Sequence, residues 1–231
     1  ALAIMHHRDH CHSKLAAEEL RAQLRISRAI LCGVSADSIL PQIARATRHH
    51  LQAEFVTLGR GSAPPASGEA WDGLDDWRNL VRQEPLLQLW RRAYVEGQEG
   101  DIVGEAIPAR MGSTSEPSRP MLDRVIAIPI EAGNRTFGVL MAGFLASEDS
   151  DEDFARLESY ALLAASALDR ERAREERAAD KKSLRQIIEN SDEWLVAVDE
   201  KGTVRIASRT ARALLFPPLG WPGETRLEDF F

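Results

Sequence analysis

Apolar residues are densest over 122–145, and their pattern predicts two strands joined by a tight turn. The run 125–130 is rich in β-branched residues, and 137–145 is apolar at both alternating sets of positions. Gly133 and Asn134 stand between the runs, and this pair is a typical hairpin signal. Because both faces of both strands are apolar, we expect helices to cover one face and a loop or ligand to cover the other.

Helical spacing of apolar positions predicts helices before and after this hairpin. The expected helices cover 14–32, 35–51, 74–95 and 154–168. Pro85 breaks the third helix or restarts it as a first-turn residue, because proline is tolerated only at the start of a helix.

Short strands are expected at 53–60 and at 101–103. In the first of these, Phe55 and Thr57 share one face because side chains alternate along a strand. Two stretches rich in Gly, Pro and Ser are predicted to be loops. These stretches are 59–73 and 104–120.

The stretch 169–182 is almost entirely charged, and its charges alternate in sign at helical spacing. It therefore predicts an exposed helix that continues the preceding one. We expect residues 169–189 to form a signalling helix between two domains and to support a homodimer. The apolar seam for a continuous coiled coil is poor, since it holds only Ala173, Ala178 and Ala179.

Composition and charge narrow the functional classes. The chain has 231 residues, 44% of them hydrophobic, so it can bury a substantial core. Its net charge of −7 argues against a nucleic-acid or membrane-surface partner. Two cysteines suit a reducing compartment, and the sequence contains neither a membrane-span-length apolar run nor a secretory signal. We expect a cytoplasmic protein, and the initial Ala suggests a piece of a longer one.

Candidate metal and catalytic residues are few. The tail 1–13 holds four histidines, but no second ligand pair follows, so we expect only adventitious metal binding there and no metal site. His49 and His50 are adjacent and cannot share one helix face, so we interpret them as helix-end residues that favour the dipole. Cys32 is expected to be a small core residue. No nucleophile–base pairing or phosphate loop is recognisable, so we expect no catalytic site and no enzyme within this chain.

The order of elements resembles a GAF domain, the small-molecule sensor module of signalling proteins. The resemblance spans about residues 14–176, and we place the domain at 14–168. The motifs that carry it are Ile128-Pro129-Ile130, Gly138-Val139-Leu140 and the helix segment 164–168. The resemblance implies an α+β fold in which a GAF-like antiparallel sheet has helices packed on one face and a ligand pocket on the other.

Departures from the family's sequence patterns reduce the number of ligand classes that the domain could bind. Asn134 is followed by Arg135 and not by the Lys of the cyclic-nucleotide signature, so we disfavour a cyclic nucleotide. Residues 59–121 contain no Cys, which disfavours a covalent bilin and a methionine sulfoxide reductase. An axial haem ligand could come only from His49 or His50. The cofactor is therefore unknown. The remaining possibilities are a small organic ligand or no ligand at all.

The resemblance places the pocket between the sheet and the segment 74–121. The candidate wall residues are Phe55, Trp90, Tyr94, Ile128, Val139 and Met141. Arg110 is the charged residue expected to orient an anionic ligand. The alternative is that the wall residues simply fill the core, because aromatic residues at helical spacing usually pack.

The last segment, 184–231, resembles the opening half of a PAS domain. Asp199 and Gly202 match its first turn, and Gly223 with 227–229 matches a later one, whereas Ser208 stands where Asn is more usual. We assign 190–231 to a truncated, partial PAS-like α+β segment. The expected function is a sensory input module of a signal-transduction protein, with an effector such as a histidine kinase beyond this chain. The alternative is a non-sensing GAF module that mediates dimerisation.

Overall fold

The structure is a computed structural model, and it describes residues 2–62, 64, 70–73, 81–97, 99–103, 122–145 and 150–215. The chain divides into two compact units, Ala1–Glu171 and Arg172–Phe231. Within the described residues, no helix combines the length and apolar character needed to cross a membrane.

The first unit is built on one antiparallel sheet. Its elements, in chain order, are α1 (Leu2–Leu31), α2 (Ala36–Leu51), β1 (Phe55–Arg60), β2 (Trp71–Gly73), α3 (Leu86–Glu96), β3 (Gly100–Val103), β4 (Arg124–Ala132), β5 (Arg135–Phe144) and α4 (Ser150–Asn190), whose residues belong to both units. The strand order is β2-β1-β5-β4-β3, and every neighbouring pair is antiparallel. The predicted central hairpin is thus confirmed as β4 and β5, near the middle of the sheet.

The hairpin turn has the two residues expected from the sequence. Ala132 pairs with Arg135, and Gly133 with Asn134 closes the loop between them. Gly133 has a φ of +62°, a conformation that glycine adopts without the cost of a Cβ atom.

One residue interrupts the regular pairing just beyond the turn. Glu131 lies opposite Thr136, but its neighbour Ile130 lies opposite Gly138, so Phe137 is an extra residue on β5. This arrangement is a β-bulge, and it moves every later pair by one position. The bulge therefore decides which side chains of the two strands share a face.

Helices α1, α2 and α4 cover one face of the sheet. The core on this face contains Val56 and Leu58 of β1 together with alternate residues of β4 and β5. Helix α2 contributes Ile39 and Ile43, and α4 contributes several alanines along with Tyr160. These small residues let the long helix lie close to its neighbours, because they add little side-chain volume. Helix α3 covers the opposite face. This helix belongs to the segment 74–121, which the sequence placed over that face.

Several expectations about the first unit are wrong. Helix α1 begins at Leu2, whereas the sequence predicted that the first helix would begin at residue 14. Cys32 is exposed and not a core residue, because it follows the last residue of α1. Trp71–Gly73 forms a strand in the segment predicted to be a loop, and its pairing with β1 explains this.

Helix α1 buries only part of its apolar surface. The residues that reach the core are Ala22, Ile26 and Ile30. Leu20, Leu24 and Leu31 lie on another side of the helix and are 58%, 53% and 68% exposed. Their spacing places them in one stripe, because residues four and eleven positions apart fall on nearly the same side of a helix.

The second unit contains the end of α4, a short hairpin and a short helix. These elements are β6 (Val196–Val198), β7 (Val204–Ala207) and α5 (Arg209–Leu215). Ser208 caps α5, since its Oγ accepts N–H bonds from Ala211 and from Leu195. Ser208, the residue that departs from the resemblance noted in the sequence, is thus the cap of this helix. Gly223 and residues 227–229 lie outside the described residues.

Candidate functional site

The candidate site is the face of the sheet that lies under α3. Phe55, Trp90, Val139 and Met141, which the sequence placed together, are all 0% exposed and belong to one cluster. Tyr94 is half-buried and packs at the edge of this cluster. Leu86, Leu89 and Ala93 of α3 complete the cover. In the structure these wall residues form a packed core, and their contact with a ligand stays a prediction.

Phe55 lies flat on the sheet because its cross-strand partner has no side chain. Phe55 of β1 pairs with Gly143 of β5, and a Cβ atom added at Gly143 would lie 2.2 Å from Cε1 of the Phe55 ring. The ring also stacks on Trp71, with centroids 5.4 Å apart and planes inclined by 8°. Together the two rings form an aromatic shelf at the β1–β2 side of the site.

Two features position helix α3 over the face: the residue at which the helix begins and one side-chain hydrogen bond. It begins at Leu86, directly after Pro85, which agrees with a break or a restart at this proline. Residues 81–85 form turns and a bend, so the helix predicted over 74–95 is wrong in that stretch. The indole Nε1–H of Trp90 donates to the carbonyl oxygen of Gly61 at 3.2 Å. This bond joins α3 to the end of β1 and satisfies the only polar group of the buried indole.

Thr57 supplies a polar atom within this apolar face. It shares the face with Phe55, opposes Trp71 on β2 and Met141 on β5, and is 0% exposed. Its Oγ1 has no hydrogen-bond partner among the described residues. A buried hydroxyl left in this state costs about 1–3 kcal/mol, so most proteins pair or hydrate it.

Sequence reasoning placed Thr57 on the correct face but did not select it as a site residue. The available signal was a hydroxyl residue within an otherwise apolar buried strand. The aromatic shelf and Thr57 together suit an apolar or planar molecule that carries one hydrogen-bonding group.

Ile128 does not lie with the other candidate wall residues. A two-residue turn without a bulge would set Ile128 opposite Val139, whereas the bulge sets it opposite Leu140. Ile128 therefore points into the core under α1, α2 and α4. It also lines a separate open groove of about 650 Å³, together with Ala161 and Leu162 of α4.

The remaining candidate residues do not add to the site. Arg110 lies outside the described residues. His50 bonds through Nδ1 to the Tyr160 hydroxyl, on the other side of the sheet from α3. Across the part of the chain that the structure describes, no three His, Cys, Asp or Glu side chains converge as metal ligands. The side chains of the tail histidines are not among those described.

Solved structures share this fold. The chain is 16% identical to the GAF domain of a protein assigned as a sensor histidine kinase from Pseudomonas syringae pv. tomato, with a TM-score of 0.51 over 74% of this chain and 99% of that one. It is 14% identical to a protein assigned as a GAF sensor from Burkholderia vietnamiensis, with a TM-score of 0.51 over 69% and 94%. No family model and no curated protein matches the sequence. The expected α+β, GAF-like fold is therefore confirmed.

Proposed function

We propose that this chain is a sensory or regulatory input module that binds a small organic molecule on the α3 face of its sheet. The observation that carries the proposal is the buried hydroxyl of Thr57, which has no hydrogen-bond partner among the residues that the structure describes and lies on that face beside the Phe55–Trp71 shelf. A ligand that supplies one donor or acceptor to Thr57 relieves the cost of the unpaired hydroxyl. The GAF-like fold, which solved sensor domains share, supports the same function.

The signal is proposed to leave the domain through α4. This helix packs against the sheet through Leu157, Tyr160 and neighbouring alanines, and it continues without interruption to Asn190. A ligand that shifts the packing of the sheet biases the position of α4, and a rigid helix carries such a shift along its length. The PAS-like second unit and an effector outside this chain then receive the signal. No step in this function needs a catalytic residue in this chain.

Native mass spectrometry of the freshly purified chain tests the proposal, together with thermal shifts across a metabolite panel. We expect a dimer with an adduct that denaturation removes, or a ligand from the panel that raises the melting temperature. In Thr57→Val the adduct and the shift should disappear, while Thr57→Ser, which keeps the hydroxyl, should retain both. Because removing an unpaired hydroxyl relieves a cost, ligand-free Thr57→Val should be as stable as the parent or up to about 1 kcal/mol more stable.

Two results would contradict ligand binding at Thr57. One is an adduct that Thr57→Val binds as well as the parent does. The other is the absence of any adduct or thermal shift in the parent, combined with a destabilised Thr57→Val variant. That combination means that the hydroxyl serves the folded protein itself.

A second candidate function is a module that only holds two copies of the chain together. The exposed stripe of Leu20, Leu24 and Leu31 on α1 favours it, because contiguous exposed leucines often mark an interface. A homodimer without adduct, which dissociates in Leu20→Gln and Leu24→Gln but not in Thr57→Val, would assign this role. A parent chain that is monomeric at micromolar concentration would contradict both dimer-based functions.

A further inference from the structure

A cavity of about 480 Å³ lies outside the α3 face, between α1 and the last turn of α2. We refer to it as the α1–α2 cleft. Arg21, Arg25 and Arg28 of α1 line it together with His49 and His50 of α2. The side chains that form its walls are thus mostly cationic or hydrogen-bond donors, in a chain whose net charge is −7.

The three arginines form one stripe, because positions i, i+4 and i+7 fall on the same side of a helix. Each is exposed, and none makes an ion pair with a carboxylate among the residues that the structure describes. Other arginines of this unit do so: Arg48 contacts Asp72 at 3.2 Å. The stripe is therefore a concentration of positive charge that no ion pair among the described residues offsets.

Two features of the cleft oppose an anion. Glu18 also lines it, and the end of α2 carries the negative pole of the helix dipole. Against them stand three guanidinium groups that remain charged at all accessible pH values. The balance in the cleft stays positive even when both histidines are neutral.

A hydrogen bond to helix α4 fixes the orientation of the His50 ring. Its Nδ1 lies 2.5 Å from the hydroxyl oxygen of Tyr160. Burial raises the pKa of Tyr160, so this hydroxyl stays protonated and is able to donate to Nδ1. In the tautomer in which Nδ1 accepts from Tyr160, neutral His50 carries its proton on Nε2, and the second ring nitrogen is then a donor.

We propose that the α1–α2 cleft is a binding site for a small molecule that carries a chain of two or more phosphate groups. The planar guanidinium fork pairs with phosphate oxygens in a bidentate manner, and several forks in one row suit several phosphates. Arg21 and Arg28 are about 10 Å apart along the helix axis, so a chain of phosphates can pair with the whole row without the outer side chains bending towards one point. The volume suits a small metabolite, and Leu24 offers an apolar surface to its organic part.

Isothermal titration calorimetry of the full chain with inorganic pyrophosphate, at low salt and constant ionic strength, tests the site. We expect saturable binding by the parent that weakens at least about tenfold in the triple variant Arg21→Gln, Arg25→Gln, Arg28→Gln. The matched control removes three exposed arginines of the same unit by Arg91→Gln, Arg92→Gln and Arg135→Gln. It should change the affinity by less than about twofold, because these residues lie outside the cleft.

Three outcomes would overturn the proposal. The parent chain fails to bind pyrophosphate, both triple variants weaken binding equally through a general charge effect, or the α1 variant binds as the parent does. Loss of a dimer in the α1 variant, without pyrophosphate binding by the parent, assigns the cleft to a contact between two copies. The site is independent of the α3 face, so Thr57→Val should bind pyrophosphate unchanged whatever becomes of the proposed sensory function.

Discussion

The Tyr160 hydroxyl of α4 lies 2.5 Å from Nδ1 of His50 in the last turn of α2, and the two rings stack with centroids 6.1 Å apart. Gln23 of α1 joins the same cluster through its side-chain nitrogen, 3.2 Å from Ser159 Oγ. All three helices of the layer therefore meet at one polar cluster above the sheet. Because Tyr160 is 0% exposed, this cluster connects the surface cleft to the core.

Protonation of His50 should destabilise the first unit. Burial lowers the pKa of His50, and the neighbouring His49 lowers it further, whereas the Glu19 carboxylate acts in the opposite direction. The unfolded chain therefore takes up this proton at a higher pH than the folded chain does. The free energy of unfolding is highest above the ordinary histidine pKa of about 6.5 and falls as the pH drops towards the lowered folded value.

Urea unfolding at several pH values checks this dependence. His50→Asn removes the titrating group, so its free energy of unfolding should fall less than that of the parent between about pH 7 and pH 5.5. His49→Asn is the matched control, because it keeps the bond between His50 and Tyr160 and removes only a minor cause of the lowered pKa, so its free energy of unfolding should fall almost as much as that of the parent. Parallel pH profiles for the parent and His50→Asn would contradict the prediction.

Tyr160→Phe should lower the free energy of unfolding by about 0.5–1.5 kcal/mol, because it deletes a hydrogen bond within a partly buried cluster. Tyr94→Phe removes a hydroxyl from a half-buried tyrosine with no described hydrogen bond, so it should cost less than about 0.5 kcal/mol. Chemical denaturation of both variants measures the difference. Equal costs would show that the Tyr160 bond does not stabilise the fold.

Gly143→Ala should destabilise the sheet because its new methyl group collides with the Phe55 ring. Overpacking of this kind costs about 1–3 kcal/mol. Phe55→Leu removes the ring, so the double variant should lose less stability than the two single variants added together. At Gly100 an added Cβ meets only the end of the Leu89 side chain at 3.1 Å, so Gly100→Ala should cost less and show no coupling to Phe55→Leu.

Asp199 should hold the turn of the β6–β7 hairpin. The backbone N–H of Thr203 donates to its carboxylate, as do the Arg205 side chain and the N–H of Lys201, and these bonds lower the pKa of Asp199. The stabilisation is complete above the ordinary aspartate pKa of about 3.9 and is lost as the pH falls through the lowered value.

Hydrogen exchange near neutral pH checks the role of Asp199. In Asp199→Ala the amides of Lys201 and Thr203 should exchange faster than in the parent, because they lose their acceptor. Glu200→Ala removes the neighbouring exposed carboxylate and should leave both rates unchanged. Equal protection in Asp199→Ala and the parent would contradict the role.

Local features of the sequence predicted most elements of the fold. The Gly133–Asn134 turn was predicted because backbone preferences act within two residues. The restart of a helix after Pro85 and the continuous charged helix were predicted for the same reason, since φ preference and helical spacing are local properties. The strand Trp71–Gly73 was missed because it exists only through its pairing with β1.

The face on which each side chain lies depended on contacts that no local pattern contains. Ile128 and Val139 were assigned to one pocket, but the bulge at Phe137 separates them by one register step. The leucine stripe of α1 resembles core residues in the sequence, yet it is exposed because the sheet and its neighbouring helices cover only one side of α1. Cys32 is exposed because it follows the last residue of that helix.

By itself, the sequence determined the central hairpin, the helices around it and the apolar character of the face that holds Phe55, Val139 and Met141. These properties follow from short-range periodicity and backbone preference. Only the tertiary structure decided that α3 packs Trp90 onto that face and that the Thr57 hydroxyl there has no described partner. Whether a buried polar atom is satisfied depends on every neighbour within hydrogen-bond reach, and those neighbours come from strands and helices far apart in the chain.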